Sequence, residues 1–167
     1  SVGGLLENWH LVELARATGA RINVPSGAVL GLVAVRAAEL GNIKQVTIVT
    51  RKPPAGLVGA PHIEKQKIDL DSVDQPLKVF EGSAKEGVKA FPANVNVAAA
   101  LGLAGIGPDR TWLEVWADPL VNRNIHSITV ESDSARCELK IENVPTDENP
   151  RTGRIVVLSV LAALKRL

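Results

Sequence analysis

Methionine and tyrosine are missing from this sequence, and three tryptophans with two phenylalanines are its whole aromatic complement. That leaves too few flat side chains to stack successive bases of a single strand. Charge of one sign is lacking too: 19 Lys and Arg stand against 18 Asp and Glu, for a net +1. With no block of five or six like charges there is no electrostatic footprint for nucleic acid. The single cysteine, Cys137, cannot close a disulfide within the chain, which suits a reducing compartment. No apolar run reaches 18 residues and the N-terminus lacks the pattern of a signal peptide, so a cytoplasmic protein is expected. A chain that opens on Ser1 without a methionine anywhere is expected to be a processed, cut or excised piece. Cys-x-x-Cys, His-Glu-x-x-His, the P-loop pattern and Gly-x-Gly-x-x-Gly are all absent, which removes zinc-finger, zincin, P-loop and dinucleotide-fingerprint readings. His10, His62 and His126 sit far apart in unlike settings, so no metal site is expected, and His10 and His62 read as surface residues.

What is present is an ordinary globular composition, 46% hydrophobic and 22% charged, in a length that suits one core. Ser1 to Leu6 reads as a strand end entering a turn. Glu7 to Thr18 reads as a helix closed by Gly19. Arg21 to Val24 reads as a short strand, Pro25-Ser-Gly-Ala28 as a turn, and Val29 to Leu40 as a helix whose first N–H groups could receive an anion or cofactor. Ile43 to Thr50 is a strand that Pro53 and Pro54 end. Ile63 to Leu70 and Leu77 to Phe80 are expected strands, and Ser83 to Ala90 a short helix. A small-residue helix should start near Asn94, a natural N-cap, and carry Asn96 just inside it. Thr111 to Ala117 is a strand with Trp112, Glu114 and Trp116 on one face. Ile125 to Glu131 and Arg136 to Glu142 form a hairpin about Ser132-Asp133-Ser134, with His126, Ile128 and Val130 on one face. Arg154 to Leu167 closes the chain as an apolar helix. The pattern is α+β: one mixed, largely antiparallel sheet with helices on one face, and the tryptophan face open to a second subunit.

Four polar groups end apolar elements: Pro25-Ser26-Gly27-Ala28, Thr50-Arg51-Lys52-Pro53, Pro92-Ala93-Asn94-Val95-Asn96 and Asn122-Arg123-Asn124-Ile125-His126. Each has an ordinary role as a turn, a solvated basic pair, a helix cap or an asparagine-rich turn. Their joint presence points to a site. Histidine, with an unperturbed pKa of about 6.5, is the natural acid or base among them.

Val24-Pro-Ser-Gly-Ala28, Thr50-Arg-Lys-Pro53, Phe91-Pro-Ala-Asn-Val-Asn-Val-Ala98, Asn124-Ile-His126, and Glu142-Asn-Val-Pro145 with Asn149-Pro150 occur in an order that resembles the L-aspartate dehydrogenase family. The resemblance spans nearly the whole chain and implies the family's C-terminal catalytic and dimer-forming domain, similar to that of glyceraldehyde-3-phosphate dehydrogenase-like enzymes. Ser1 to about Gly19 would then be the junction with an N-terminal Rossmann domain that these residues do not include. The implied reaction is NAD- or NADP-dependent oxidation of L-aspartate to iminoaspartate, which yields oxaloacetate and ammonia or feeds NAD biosynthesis. Carried over, His126 is the catalytic residue, and Ala28 and Asn96 contact the nicotinamide cofactor. Ser26, Arg51, Lys52 and Asn124 are candidates for binding the dicarboxylate, with Arg123 a further cation close by. A homodimer is implied, and the chain alone is expected to be inactive without the pyrophosphate-binding turn. Two alternatives stay open: a non-catalytic oligomerisation or ligand-sensing domain of this fold, and a dehydrogenase for another amino or hydroxy acid.

Overall fold

Alternation along one strand organises the molecule. In β1 (Ile43–Lys52), Val46, Ile48, Thr50 and Lys52 are buried while Thr47, Val49 and Arg51 between them are half-buried, the signature of a strand whose two faces meet different surroundings. The computed structural model describes residues 2–29, 31–92, 95–146 and 152–165. Around β1 the chain runs α1 (Val2–Glu7), α2 (His10–Thr18), α3 (Leu32–Glu39), α4 (Pro61–Gln66), β2 (Leu77–Ser83), α5 (Ala84–Ala90), α6 (Asn96–Ala104), β3 (Thr111–Ala117), β4 (Ile125–Ser132), β5 (Arg136–Glu142) and α7 (Arg154–Leu164).

The strand order is β2-β3-β1-β4-β5, with β1 parallel to β3 and every other neighbour antiparallel. This is the mixed, largely antiparallel α+β sheet expected. A parallel neighbour needs a long crossover, and the chain uses it to lay down α4, β2, α5 and α6. Buried residues Val97 to Gly102 press α6 against the sheet beside α5, and α1 and α3 pack on α6. Phe91, Leu57, Leu101, Leu113, Ile48 and Ile128 are among the largest fully buried side chains of the resulting core. On the opposite face Trp112 stays 42% exposed. Among the described residues no helix is long and apolar enough to cross a membrane.

Several local expectations change. Residues 2–7 are helical rather than a strand end, held against α6 by the Gly3 N–H donating to Asn96 Oδ1 at 3.3 Å. Residues 21–24 join no strand ladder. Pro61 stands in the first turn of α4, where its missing N–H is not needed, so the segment expected as a strand from Ile63 is a helix ended by Lys67 at φ 54°. The helix expected from Val29 starts at Leu32, because Gly31 adopts φ 85° and lets Leu139 of β5 approach so closely that a Cβ there would stand 2.6 Å from its Cδ1. The Ser83 hydroxyl and Glu86 carboxylate form a reciprocal capping box that starts α5 as expected.

Candidate active site

Strand register assembles the site. β1 and β4 pair antiparallel with Thr50 opposite His126, and β4 pairs with β5 with His126 opposite Ile141. Beyond β5 the ladder extends one step, since the Asn143 N–H donates to the Asn124 carbonyl at 2.9 Å. Because side chains two residues apart share a face, Thr50, His126 and Ile141 make one transverse row. Lys52, Asn124 and Asn143 make the next, at the end of the sheet.

Over these rows lies a cavity of about 310 Å³. The 25–28 turn, the first turn of α6 and the segment entering α7 close it. Ser26, Ala28, Lys52, Asn96, Asn124 and His126 all line it, so six of the eight residues singled out from the sequence as site candidates meet in one place. Arg51 does not. Standing between Thr50 and Lys52, it projects from the other face, where its Nη1 bonds Asp118 Oδ2 at 3.0 Å and its guanidinium lies 4.7 Å from the Trp116 ring. Arg123 donates from Nε to Asn122 Oδ1 at 3.1 Å and is not among the lining residues. His10 is exposed at the start of α2, while His62 is half-buried, its ring 5.4 Å from both Phe80 and Phe91. Among the described residues there is no cluster of three His, Cys, Asp or Glu able to hold a metal ion.

His126 is 3% exposed, and its Nδ1 lies 3.0 Å from Thr50 Oγ1. Burial pushes the imidazole pKa down from 6.5 to about 3, and the positive charge of Lys52 adds to that shift. The ring is therefore neutral at physiological pH, well away from the near-neutral titration expected of a histidine. Lys52 is itself buried, and no Asp or Glu is among the described residues lining the cavity. The wall thus offers a cation, an imidazole and several neutral hydrogen-bonding groups, a set suited to a carboxylate-bearing ligand.

Asn96 is the first residue of α6, and its Oδ1 is engaged by the Gly3 N–H. The Pro25–Ala28 turn closes on itself through the Val29 N–H donating to the Ser26 carbonyl at 2.9 Å. Gly31 separates it from α3, so the helix-start donors expected there belong to a turn instead. Asn94, and the Asn149-Pro150 pair, lie outside the described residues. Thr50, Asn143, Thr152 and Gly153 also belong to the site, yet no role was expected for them. The signals were the positions of Thr50 within Thr50-Arg51-Lys52-Pro53 and of Asn143 within Glu142-Asn-Val-Pro145, which mark motifs without saying what they touch.

Residues 34–167 match the family model described as aspartate dehydrogenase, C-terminal. The chain belongs to the aspartate dehydrogenase family. Within this family it is 60% identical over 166 residues to an L-aspartate dehydrogenase of Bradyrhizobium diazoefficiens, an alignment covering 99% of this chain and 59% of that protein. It is 45% identical over 170 residues to an L-aspartate dehydrogenase of Methanosarcina barkeri, covering 100% and 63% respectively. The crystal structure of aspartate dehydrogenase from Thermotoga maritima is similar with a TM-score of 0.77 at 29% identity, over 99% of this chain and 63% of that one. The chain thus spans less than two thirds of the length of these aspartate dehydrogenases.

Proposed function

We propose that the protein carrying this chain oxidises L-aspartate to iminoaspartate with NAD or NADP, and that the cavity over His126 is the substrate half of its active site. The observation that carries this reading is the convergence of Lys52, Asn124 and His126 with Ala28 and Asn96 on one cavity of about 310 Å³ in a chain of this family. A dinucleotide-binding domain outside these residues completes the site, and with it rests the choice between NAD and NADP. The iminoaspartate either hydrolyses to oxaloacetate and ammonia or enters NAD biosynthesis.

The residues present fit a nicotinamide. Ala28 offers a small apolar wall, and Asn96 offers its Nδ2 to a carboxamide oxygen. When bound, the nicotinamide supplies the acceptor for the hydride that leaves Cα. The chain's own work is with charge and protons. Lys52 faces a substrate carboxylate in a buried setting, where a charge-assisted contact is strong, and Ser26 and Asn124 add hydrogen bonds. His126 takes the proton that the substrate nitrogen sheds. For that, Nε2 must carry the lone pair, so Nδ1–H donates to Thr50 Oγ1 at 3.0 Å. Burial is the larger cause of the low His126 pKa and the charge of Lys52 the smaller; a carboxylate seated on Lys52 offsets the smaller one and so moves the imidazole upward from about 3. Substrate binding and base strength are coupled in this way.

The homodimer expected from the family resemblance fits the open sheet face. Trp112 and Trp116 lie there among Arg51, Lys78, Glu81 and Glu114, cations and anions that a two-fold related copy can meet with opposite charges.

The test is aspartate-dependent formation of reduced cofactor by the full-length protein, followed by absorbance. Turnover is expected, and His126→Ala should lower kcat by about a hundredfold or more, the usual contribution of a positioned acid or base. No aspartate-dependent reduction, or a rate that survives His126→Ala, overturns the reading. Binding of aspartate without turnover would point to a ligand-sensing domain.

A further inference from the structure

We propose that the side-chain amide of Asn143 recognises the substrate's nitrogen, its Oδ1 accepting an N–H from the α-amine of L-aspartate. This rests on the reading of the cavity as the aspartate site. Asn143 is only 4% exposed, and its Oδ1 is the one buried side-chain polar atom without a hydrogen-bond partner among the described residues. Buried polar atoms are nearly always paired, and because Asn143 is one of the residues lining the cavity, a ligand seated there is the source of the donor its amide lacks. The amide is also held in place. Its backbone N–H is tied to the Asn124 carbonyl at 2.9 Å, and Gly153, which also lines the cavity, stands so close that a Cβ there would lie 2.9 Å from both Asn143 Cβ and Oδ1.

The chemistry of the neighbours selects the donor. Lys52 lies in the same transverse row and attracts carboxylates, leaving the amine as the part of an amino acid that a lone acceptor oxygen suits. A neutral acceptor also fits the reaction better than a charged one would. A carboxylate at this place would stabilise the ammonium form and oppose loss of its proton to His126. An amide positions the nitrogen without holding it charged.

Steady-state kinetics of the full-length protein test this, with the KM for L-aspartate measured beside the inhibition constant of succinate, the same dicarboxylate without the nitrogen. Asn143→Ala should raise the aspartate KM about ten- to a hundredfold, the usual loss for an unmatched hydrogen bond to a charged or buried group, with succinate and cofactor constants moving less than about twofold. Asn143→Asp should shift the preference the other way, toward aspartate over succinate, while kcat falls and the pH–rate profile moves to higher pH. The inference is overturned if both variants leave the aspartate-to-succinate ratio within about twofold of wild type. It is also overturned if Asn143→Ala weakens aspartate and succinate equally, which puts the amide on a carboxylate, or raises the cofactor KM alone. Should Asn143→Ala lose its cooperative melting transition, the direction of the ratio in Asn143→Asp decides. Absence of aspartate turnover in the wild type would instead overturn the aspartate reading itself, and this inference with it.

Discussion

His126 makes the stability of this chain depend on pH in a way that can be measured. Folded, the buried imidazole takes up a proton only near pH 3, whereas in the unfolded chain it does so near its ordinary 6.5. Acid therefore favours the unfolded chain through this group: the stability it preserves is complete above 6.5 and is lost progressively as pH falls toward 3. Each pH unit in that window removes about 1.4 kcal/mol, so lowering the pH from about 7.5 to about 5 removes about 2 kcal/mol. For a domain of this size that is a fall in Tm of about 4–8 °C. The carboxyls of Glu86 and Glu142 are held below 4.5 chiefly by hydrogen bonds from Ser83 and Lys140 respectively, and their effect is common to the wild type and a His126 variant. Urea unfolding at the two pH values, on the wild type and on His126→Gln, isolates the effect, because the glutamine amide does not titrate there. Wild type should lose about 2 kcal/mol more than the variant across the interval. Equal losses, or an imidazole resonance that titrates near 6.5 in the folded chain, would refute the assignment of a buried neutral ring next to Lys52.

The opposite face yields two further predictions. Arg51→Ala removes the bond to the buried Asp118 and the stack on Trp116. The Arg51 side chain is 36% exposed, so solvent screening limits the loss to about 1–2 kcal/mol in urea denaturation. The aspartate KM should stay within about twofold, and a tenfold rise would return Arg51 to the substrate site. Trp112→Asp places a carboxylate on the open sheet face. If the proposed homodimer uses this face, sedimentation should report a dimer for the wild type and a monomer for the variant, and an unchanged dimer would move the interface elsewhere.

Local chemistry made much of the fold legible. The alternation of Arg136 to Glu142 and of Thr111 to Ala117 identifies half-buried strands directly, and both appear in the structure with the expected faces. Gly19 closes α2 at φ 71°, and Ser83 caps α5, because these residue types satisfy helix ends through their own backbone freedom or side chain. The misread segments are those whose state depends on distant partners. Residues 2–7 form a helix against α6, and Gly31 breaks α3 where β5 needs to approach. No periodicity within a dozen residues carries that information.

The same division runs through the site. The identities of His126, Lys52, Asn96 and Ala28, and the motifs that tie them to the aspartate dehydrogenase family, were set by the sequence alone, as was the opposite facing of neighbours along β1. Tertiary structure decided the rest. Pairing β1 with β4 brought Thr50 to His126, across 76 positions of chain, and burial beside Lys52 turned an ordinary imidazole into one that stays neutral. The ladder past β5 carried Asn143 into the same wall. Register and desolvation are properties of assembled strands, and they determine which polar residues become neighbours and which protonation state each can keep.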